Sequence, residues 1–376
     1  MNKVADFIAS LKSLFMGPQE LVGVYLGSHA VKIVWLAGGD KTCRLKGWAH
    51  APLQFKADAS PEEKKMVTAR LIKDLFNRAG IRPRSAAVSV SGNAVIVRYV
   101  SIPKIAKKDL PLMLPAEAEP FIPFDIKDVQ LGCHILGESS EEGQKKMQIA
   151  LVAARSELIS ERMEVFRAAD ISPLVIDVDA FTLETICERM GGSHSGAVIM
   201  LNIGHKLTNL AIIENGITRV ARDILIAGSS FTKTVSKNLG IETAKAEDIK
   251  RRIGIKDMAK TLPPSGQDTL SVTQDDQASA IISDIARDLA GEVRRSVDFY
   301  LSQGPDRAVS KAYITGGSSC MPNLAVFLSG ELKVPVETLN PLSIISGSDA
   351  PPVPPELAPS LTVASGLALR RLWDWQ

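Results

Sequence analysis

Cysteine is scarce in this chain: Cys43, Cys133, Cys187 and Cys320 are the four present among 376 residues, and no two form a C-x-x-C pair. That argues against a disulfide framework and a cysteine-built metal clip. Histidine is nearly as thin, with five residues and no H-E-x-x-H or comparable cluster. No apolar run approaches the length needed to cross a bilayer. Neither sign of charge is in excess, since 44 Lys and Arg stand against 42 Asp and Glu for a net of +2. No global field therefore draws the protein onto nucleic acid or an anionic membrane. Lys12 interrupts the N-terminal apolar stretch and no small-residue cleavage site follows, so a cytoplasmic address is the expectation.

What is present is a chain two to three usual domain lengths long, 45% hydrophobic and 23% charged, which can bury a sizeable core. Two domains, or one large duplicated body, are expected. Val4, Phe7, Ile8, Leu11, Leu14 and Phe15 fall at helical spacing before Gly17-Pro18 stops the helix. That short amphipathic helix has three open fates: docking on the protein's own body, lying on a membrane surface, or pairing with a partner helix.

Residues 21–36 (LVGVYLGSHAVKIVWL) read as two strands around a turn at Gly27-Ser28, with a further turn at Gly38-Gly39. The layout returns near residue 200 in AVIMLNIGHKLTNLAIIENG. Gly27 and Gly39 are twelve residues apart, and so are Gly204 and Gly216. Two such hairpins point to an internal duplication.

Between them, residues 86–103 read as a strand pair turned at Gly92-Asn93, and residues 110–125 as a helix ending near Pro120. Two strands and a helix follow, so residues 104–172 form an α/β insert. PLVIDVDAFTLETICERM is then a strand running into a helix. Residues 244–258 read as helical, 262–278 as a polar loop, and 279–303 as a long helix with Ile281, Ile285, Leu289, Val293 and Val297 on one stripe. The strand KAYITGG reaches a turn at Gly316-Gly317, and residues 346–360 form an exposed loop before a C-terminal helix. Trp373 and Trp375 read as packing residues of that helix.

Glycine turns let backbone N–H groups approach an anion, because no Cβ obstructs them. A single such turn is usually only a hairpin, but two duplicated turns with a third glycine pair fit a phosphate-gripping cleft. At these residues the sequence resembles the actin-like ATPase superfamily. Gly27-Ser28 with Lys32 resembles one of that superfamily's two phosphate loops. Gly204, His205 and Lys206 with Thr208 and Asn209 resemble the other. Gly316, Gly317 and Ser318 resemble its adenosine loop, and Glu247 and Lys250 resemble the pair that reaches the adenosine.

Within that superfamily the chain resembles the type IV pilus assembly protein PilM family, carried by LVGVYLGSHAVKIVWL, AEAEPFIPFDIKDVQL, GITRVARDILIAGSSFT, AEDIKRRIGI and YITGGSSCMPNLAVFLSGELKVPVETLNP. The resemblance implies an α/β, actin-like (ribonuclease H-like) duplicated two-domain fold with an FtsA-type inserted subdomain. The expected layout is an N-terminal helix at 1–18, a first domain at 19–103 and 173–195, and the insert at 104–172. A second domain follows at 196–342, with a small subdomain around 244–305. A loop and helix at 343–376 return to the first domain.

The resemblance further implies ATP as cofactor and a place at the inner face of the inner membrane within a pilus machine. The implied partners are the cytoplasmic peptide of a PilN-like inner-membrane protein and other platform and motor components, with possible self-association. Phe121-Ile122-Pro123-Phe124 is the candidate wall of the peptide groove, with core packing as the competing explanation. An FtsA-like membrane-associated filament and a small-molecule kinase are the alternatives.

In the family's phosphate loops an Asp usually sits two residues before the glycine; here those positions hold Tyr25 and Asn202. Such carboxylates organise magnesium and the attacking water, so efficient ATP hydrolysis is not expected. The cleft is then open to two explanations. In one it binds phosphate with little or no magnesium; in the other it is an empty joint filled by Tyr25. Asp177 and Asp179 are the remaining carboxylates nearby, and helix capping is the preferred explanation for both.

Overall fold

The computed structural model describes residues 20–39, 42–56, 58–106, 108–141, 144–191, 195–256 and 273–370. The amphipathic segment at 1–18 and the pair Trp373 and Trp375 lie outside the described residues.

The first half opens with the meander β1 (Val22–Leu26), β2 (Ala30–Gly39) and β3 (Thr42–Pro52), followed by helix α1 (Pro61–Arg78). Ser60 starts α1 with a capping box to Glu63, and Pro61 fits the first turn, where no N–H is needed. Then come β4 (Ser85–Val90), β5 (Val95–Pro103), α2 (Leu110–Ala118), β6 (Val129–Glu141), β7 (Gln144–Arg155), α3 (Ser156–Ala168), β8 (Ser172–Val178) and α4 (Asp179–Met190). The second half repeats the opening as β9 (Ala197–Ile203), β10 (Thr208–Glu214) and β11 (Ile217–Ile224). Helices α5 (Gly228–Leu239), α6 (Thr243–Ile253) and α7 (Gln274–Leu301) follow, then β12 (Val309–Thr315), α8 (Leu324–Leu332), β13 (Val336–Thr338), the short strand β14 (Gly347–Ser348) and α9 (Thr362–Ala368).

The duplication is visible in the strand order. The first sheet runs β3-β2-β1-β4-β8, extended by β14 beside β3; the second runs β11-β10-β9-β12-β13. In both, three antiparallel strands are continued by two parallel ones. β9 is buried at every position, as a central strand covered on both faces must be.

The last helix of each half crosses to the other. α4 lies on β9, β10 and β11, while α9 lies on β1, β2 and β4, and the two helices pack together. Glycine permits the approach: a Cβ on Gly23 would overlap the Ala364 carbonyl oxygen, and one on Gly366 would meet Thr182. Val34, Leu183, Met200, Ala211 and Leu367 belong to one buried cluster, so both halves share a core beneath the cleft.

Three expectations need correction. β4 and β5 do not pair with each other: β4 sits between β1 and β8, whereas β5 pairs with β7 in a separate sheet ordered β5-β7-β6. The inserted sheet therefore begins at Val95, and α3 belongs with the main body, where Phe166 packs against the first core. Alternation identifies a strand but not its partner.

α7 starts at Gln274, inside the segment read as loop, because Thr273 and Asp276 form a capping box ahead of the apolar stripe. The Phe121–Phe124 run mostly packs the insert: Ile122 is buried in its core, Phe124 packs on that core under Arg155, and Phe121 is exposed. Among the described residues, no helix is long and apolar enough to cross a membrane.

Candidate functional site

Both glycine turns close in the same way. The Gly27 N–H donates to the Ala30 carbonyl at 3.1 Å, and the Gly204 N–H donates to Leu207 at 3.0 Å. The two loops face each other across the interdomain cleft, where the His29 and His205 rings meet at a tilt of 31° with centroids 4.8 Å apart. Burial, reinforced by neighbouring cationic and imidazole groups, holds His205 and His50 down at about 4 and also lowers His29. The imidazole pair is therefore uncharged at neutral pH.

Two cavities meet at this pair. The larger, about 720 Å³, is bounded by Gly204, Thr232, Glu247, Lys250, Gly317 and Ser318 and by the Pro354–Ser360 segment; its size suits a small-molecule site. The smaller, about 340 Å³, is bounded by Tyr25, Gly27, Ser28, Lys32, Arg162 and Lys206.

At the larger cavity, Ser318 ties the third glycine turn to the second: its hydroxyl donates to the Gly204 carbonyl at 2.9 Å, and its N–H donates to Ile203 at 3.0 Å. A Cβ on Gly317 would meet nothing within 4 Å, so the backbone there is open to the cavity. Glu247 and Lys250, one turn apart on α6, pair at 2.6 Å. Lys250 Nζ also reaches Thr232 Oγ1 at 3.0 Å and the Gly228 carbonyl at 3.3 Å. Burial works against the Glu247 carboxylate, but hydrogen bonds from Lys250 and Thr232 outweigh it and hold its pKa at about 2.

At the smaller cavity, the two substituted positions join a polar relay. Asn202 donates to Asn209 at 2.8 Å, Asn209 donates to Asp223 at 2.7 Å, and Asp223 accepts the Gly92 N–H at 2.5 Å. Tyr25 adjoins Asn202, and burial raises its pKa, so it remains a neutral phenol. Lys32 Nζ lies 4.8 Å from the Tyr25 ring centroid, a cation–π distance, and burial lowers its pKa to about 8. Arg162, projecting from α3, donates to the Leu26 carbonyl at 3.1 Å.

The remaining carboxylates do not cap. α4 has no side-chain cap bond. Asp177 is paired with Arg370 at 2.5 Å and accepts the Val178 N–H at 2.7 Å. Asp179 is buried, and burial pushes its pKa up to about 6 against the pull of Ser89 and Ser91.

A family model described as type IV pilus assembly protein PilM matches residues 23–372. The chain belongs to the PilM family. A solved structure described as the PilM-PilN type IV pilus biogenesis complex is similar at a TM-score of 0.76 and 26% identity, covering 94% of this chain and 98% of that one. Ethanolamine utilization protein EutJ from Carboxydothermus hydrogenoformans is similar at a TM-score of 0.53 and 13% identity, covering 94% and 90%. Its likeness is one of fold. The duplicated sheets with crossing helices are thus the actin-like fold of PilM.

In this PilM-family chain, Gly27, Ser28, Lys32, Gly204, His205, Lys206, Glu247, Lys250, Gly317 and Ser318 line the two cavities. Thr208 and Asn209 do not: Thr208 is buried with its hydroxyl on the Ile226 carbonyl, and Asn209 is buried in the relay. Strand alternation sends the two side chains to opposite faces of β10, and each is held by a partner of its own within the second domain. Gly316 also stays behind the surface, where its φ of 88° and its approach to Ile203 require glycine.

His50 at the cleft lies in none of the segments recognised in the sequence, while His29, Gly228 and Thr232 lie within recognised segments but had no site role assigned to them. Gly228 carried a usable signal, since Gly-Ser-Ser follows the β11 strand run at a helix start. Arg162 carried none, because α3 is brought to the cleft by tertiary packing alone.

Proposed function

We propose that this chain is a cytoplasmic, peripheral actin-like scaffold of type IV pilus assembly. In this reading it holds a nucleotide, ATP in the first instance, between its domains with little or no hydrolysis. It also binds the cytoplasmic N-terminal peptide of a PilN-like inner-membrane protein. The observation that carries the reading is the whole-chain likeness to the PilM-PilN structure, combined with paired glycine turns that face each other across a cavity of nucleotide size.

The nucleotide would lie with its base and ribose in the larger cavity and its phosphates toward the Gly27 and Gly204 turns. A bound nucleotide supplies a polyanion that bridges the domains. This chain's own residues would meet it with backbone N–H groups and cations. Tyr25 and Asn202 offer no carboxylate to orient a water for attack on the terminal phosphate, which supports retention over turnover.

For the peptide, the insert offers β6, an edge strand bonded only to β7 among the described residues. It also presents the exposed side chains Leu112, Met113 and Phe121. A free strand edge suits an extended peptide, and exposed apolar side chains on the same subdomain suit its apolar residues.

Thermal-shift titration with ATP and ADP tests the nucleotide part. Stabilisation by either, lost in Gly317→Trp, supports it; no shift under any condition overturns it. Phosphate release should stay at background. Fluorescence anisotropy with a labelled N-terminal peptide of the PilN-like protein tests the partner. Binding weakened by Leu112→Glu with Met113→Glu is expected, and no binding by the wild-type chain would overturn that part.

A further inference from the structure

Resting on the nucleotide reading above, we infer that the smaller cavity holds a di- or triphosphate chain without a divalent cation, with Lys32, Arg162 and Lys206 in the metal's place. No Asp or Glu lines this cavity. Among the described residues no group of three His, Cys, Asp or Glu side chains is arranged to hold a metal. Magnesium requires an octahedron of oxygen ligands, anchored in nucleotide sites by one or two carboxylates. The donor set here is instead the Tyr25 phenol, the Ser28, Thr68 and Ser91 hydroxyls, the His29 and His205 imidazoles, which are not the oxygen ligands magnesium takes, and three cationic side chains. It does not fit a divalent cation, and cations already at the site repel one.

The two carboxylates whose charge acts on Tyr25 lie off the cavity wall. Asp223 is engaged by the Gly92 N–H and the Asn209 amide. Asp179 is buried outside the lining. Its charge acts on Lys32 and Arg162 from behind, as a counter-charge that helps keep them protonated.

The cations, by contrast, are poised for an anion. Lys32 makes no ion pair among the described residues and is held over the Tyr25 ring, close to Gly27. Arg162 spends one N–H on the Leu26 carbonyl, which aims its guanidinium at the first glycine turn, and the rest of the fork remains for phosphate oxygens. Arg162 thus becomes a ligand-binding residue supplied by a helix outside both glycine loops. The chemistry suits the phosphates of a nucleotide and equally an inorganic polyphosphate.

Isothermal titration with ATP, ADP, pyrophosphate and tripolyphosphate, each in EDTA and in magnesium chloride, separates the cases. The expected result is binding at least as tight in EDTA as in magnesium. Arg162→Gln should lose about tenfold to a hundredfold in affinity, with an unchanged melting curve showing that it folds. Pyrophosphate binding as tight as ADP would place the recognition in the phosphate cavity alone.

Binding that requires magnesium would overturn the inference while leaving the nucleotide reading intact. So would magnesium-dependent binding abolished by Asp179→Asn, or Arg162→Gln and Lys32→Gln variants that both retain full affinity. An absence of binding to any of the four ligands in either buffer would overturn both readings together.

Discussion

The Gly92 N–H of the first domain donates to the Asp223 carboxylate of the second at 2.5 Å, and the other oxygen of that carboxylate receives the Asn209 amide at 2.7 Å. One side chain therefore straps the two domains at the phosphate end of the cleft. Asp223→Ala leaves the amide and the N–H without their acceptor and should cost about 1–3 kcal/mol. Asp223→Asn, which keeps one acceptor, should cost less. Urea denaturation of the three proteins checks this, and an unchanged midpoint for Asp223→Ala would show that the strap carries no stability.

Nucleotide affinity should depend on alkaline pH through Lys32. Burial has lowered its pKa to about 8, so the free protein begins to lose this charge where an ordinary lysine keeps it. An anion in the cavity favours the protonated form, so binding takes up a proton and affinity falls as pH rises above about 8. Titrations on either side of that pH should show the decline in the wild type and its absence in Lys32→Arg, which stays charged.

Asp179 predicts a stability change of unusual sign. Its pKa is raised in the folded state from 3.8 to about 6, so the native protein binds this proton more tightly than the unfolded chain. Stability from this group is therefore greatest below the ordinary carboxylate range and is lost as pH rises through about 6. At neutral pH the buried charge costs on the order of 2–3 kcal/mol. Asp179→Asn should raise the midpoint at pH 7, with the gain vanishing below about pH 4. A destabilised variant at neutral pH would contradict the prediction.

Two glycines should respond very differently to the same methyl group. Gly23→Ala drives a Cβ into the Ala364 backbone, and since neither β1 nor α9 can retreat, a loss of about 3 kcal/mol or more is expected. Gly317→Ala meets open cavity at an ordinary φ and should leave stability unchanged while crowding the nucleotide site. Paired melting and binding measurements distinguish the two; equal stability for both variants would refute the packing argument.

The duplicated hairpins were legible because a tight turn with a close backbone approach restricts the residue to glycine, and two copies at one spacing leave a periodic mark. Gly27 with Gly204 accordingly located both the sheets and the cleft. The relay of Asn202, Asn209 and Asp223 left no such mark, since its members sit on three different strands and meet Gly92 only when the halves close. Thr208 and Asn209 fell on the correct strand, but their side chains are committed to Ile226 and Asp223 rather than to the cleft. The β5 misassignment has the same origin: Val95–Pro103 has strand character in either sheet, and only the register with β7 decides.

The helix α9 completes the first domain with residues that follow the second domain's sheet in the chain. Until Thr362–Ala368 emerges, β1 and α4 lack the surface against which Gly23 and Thr182 close. The first half of the chain must then wait with its apolar face uncovered, while the intervening second half is free to fold. A stop codon shortly before residue 362 should accordingly unravel the beginning of the protein before its end. Limited proteolysis would show the earliest cuts in the N-terminal half.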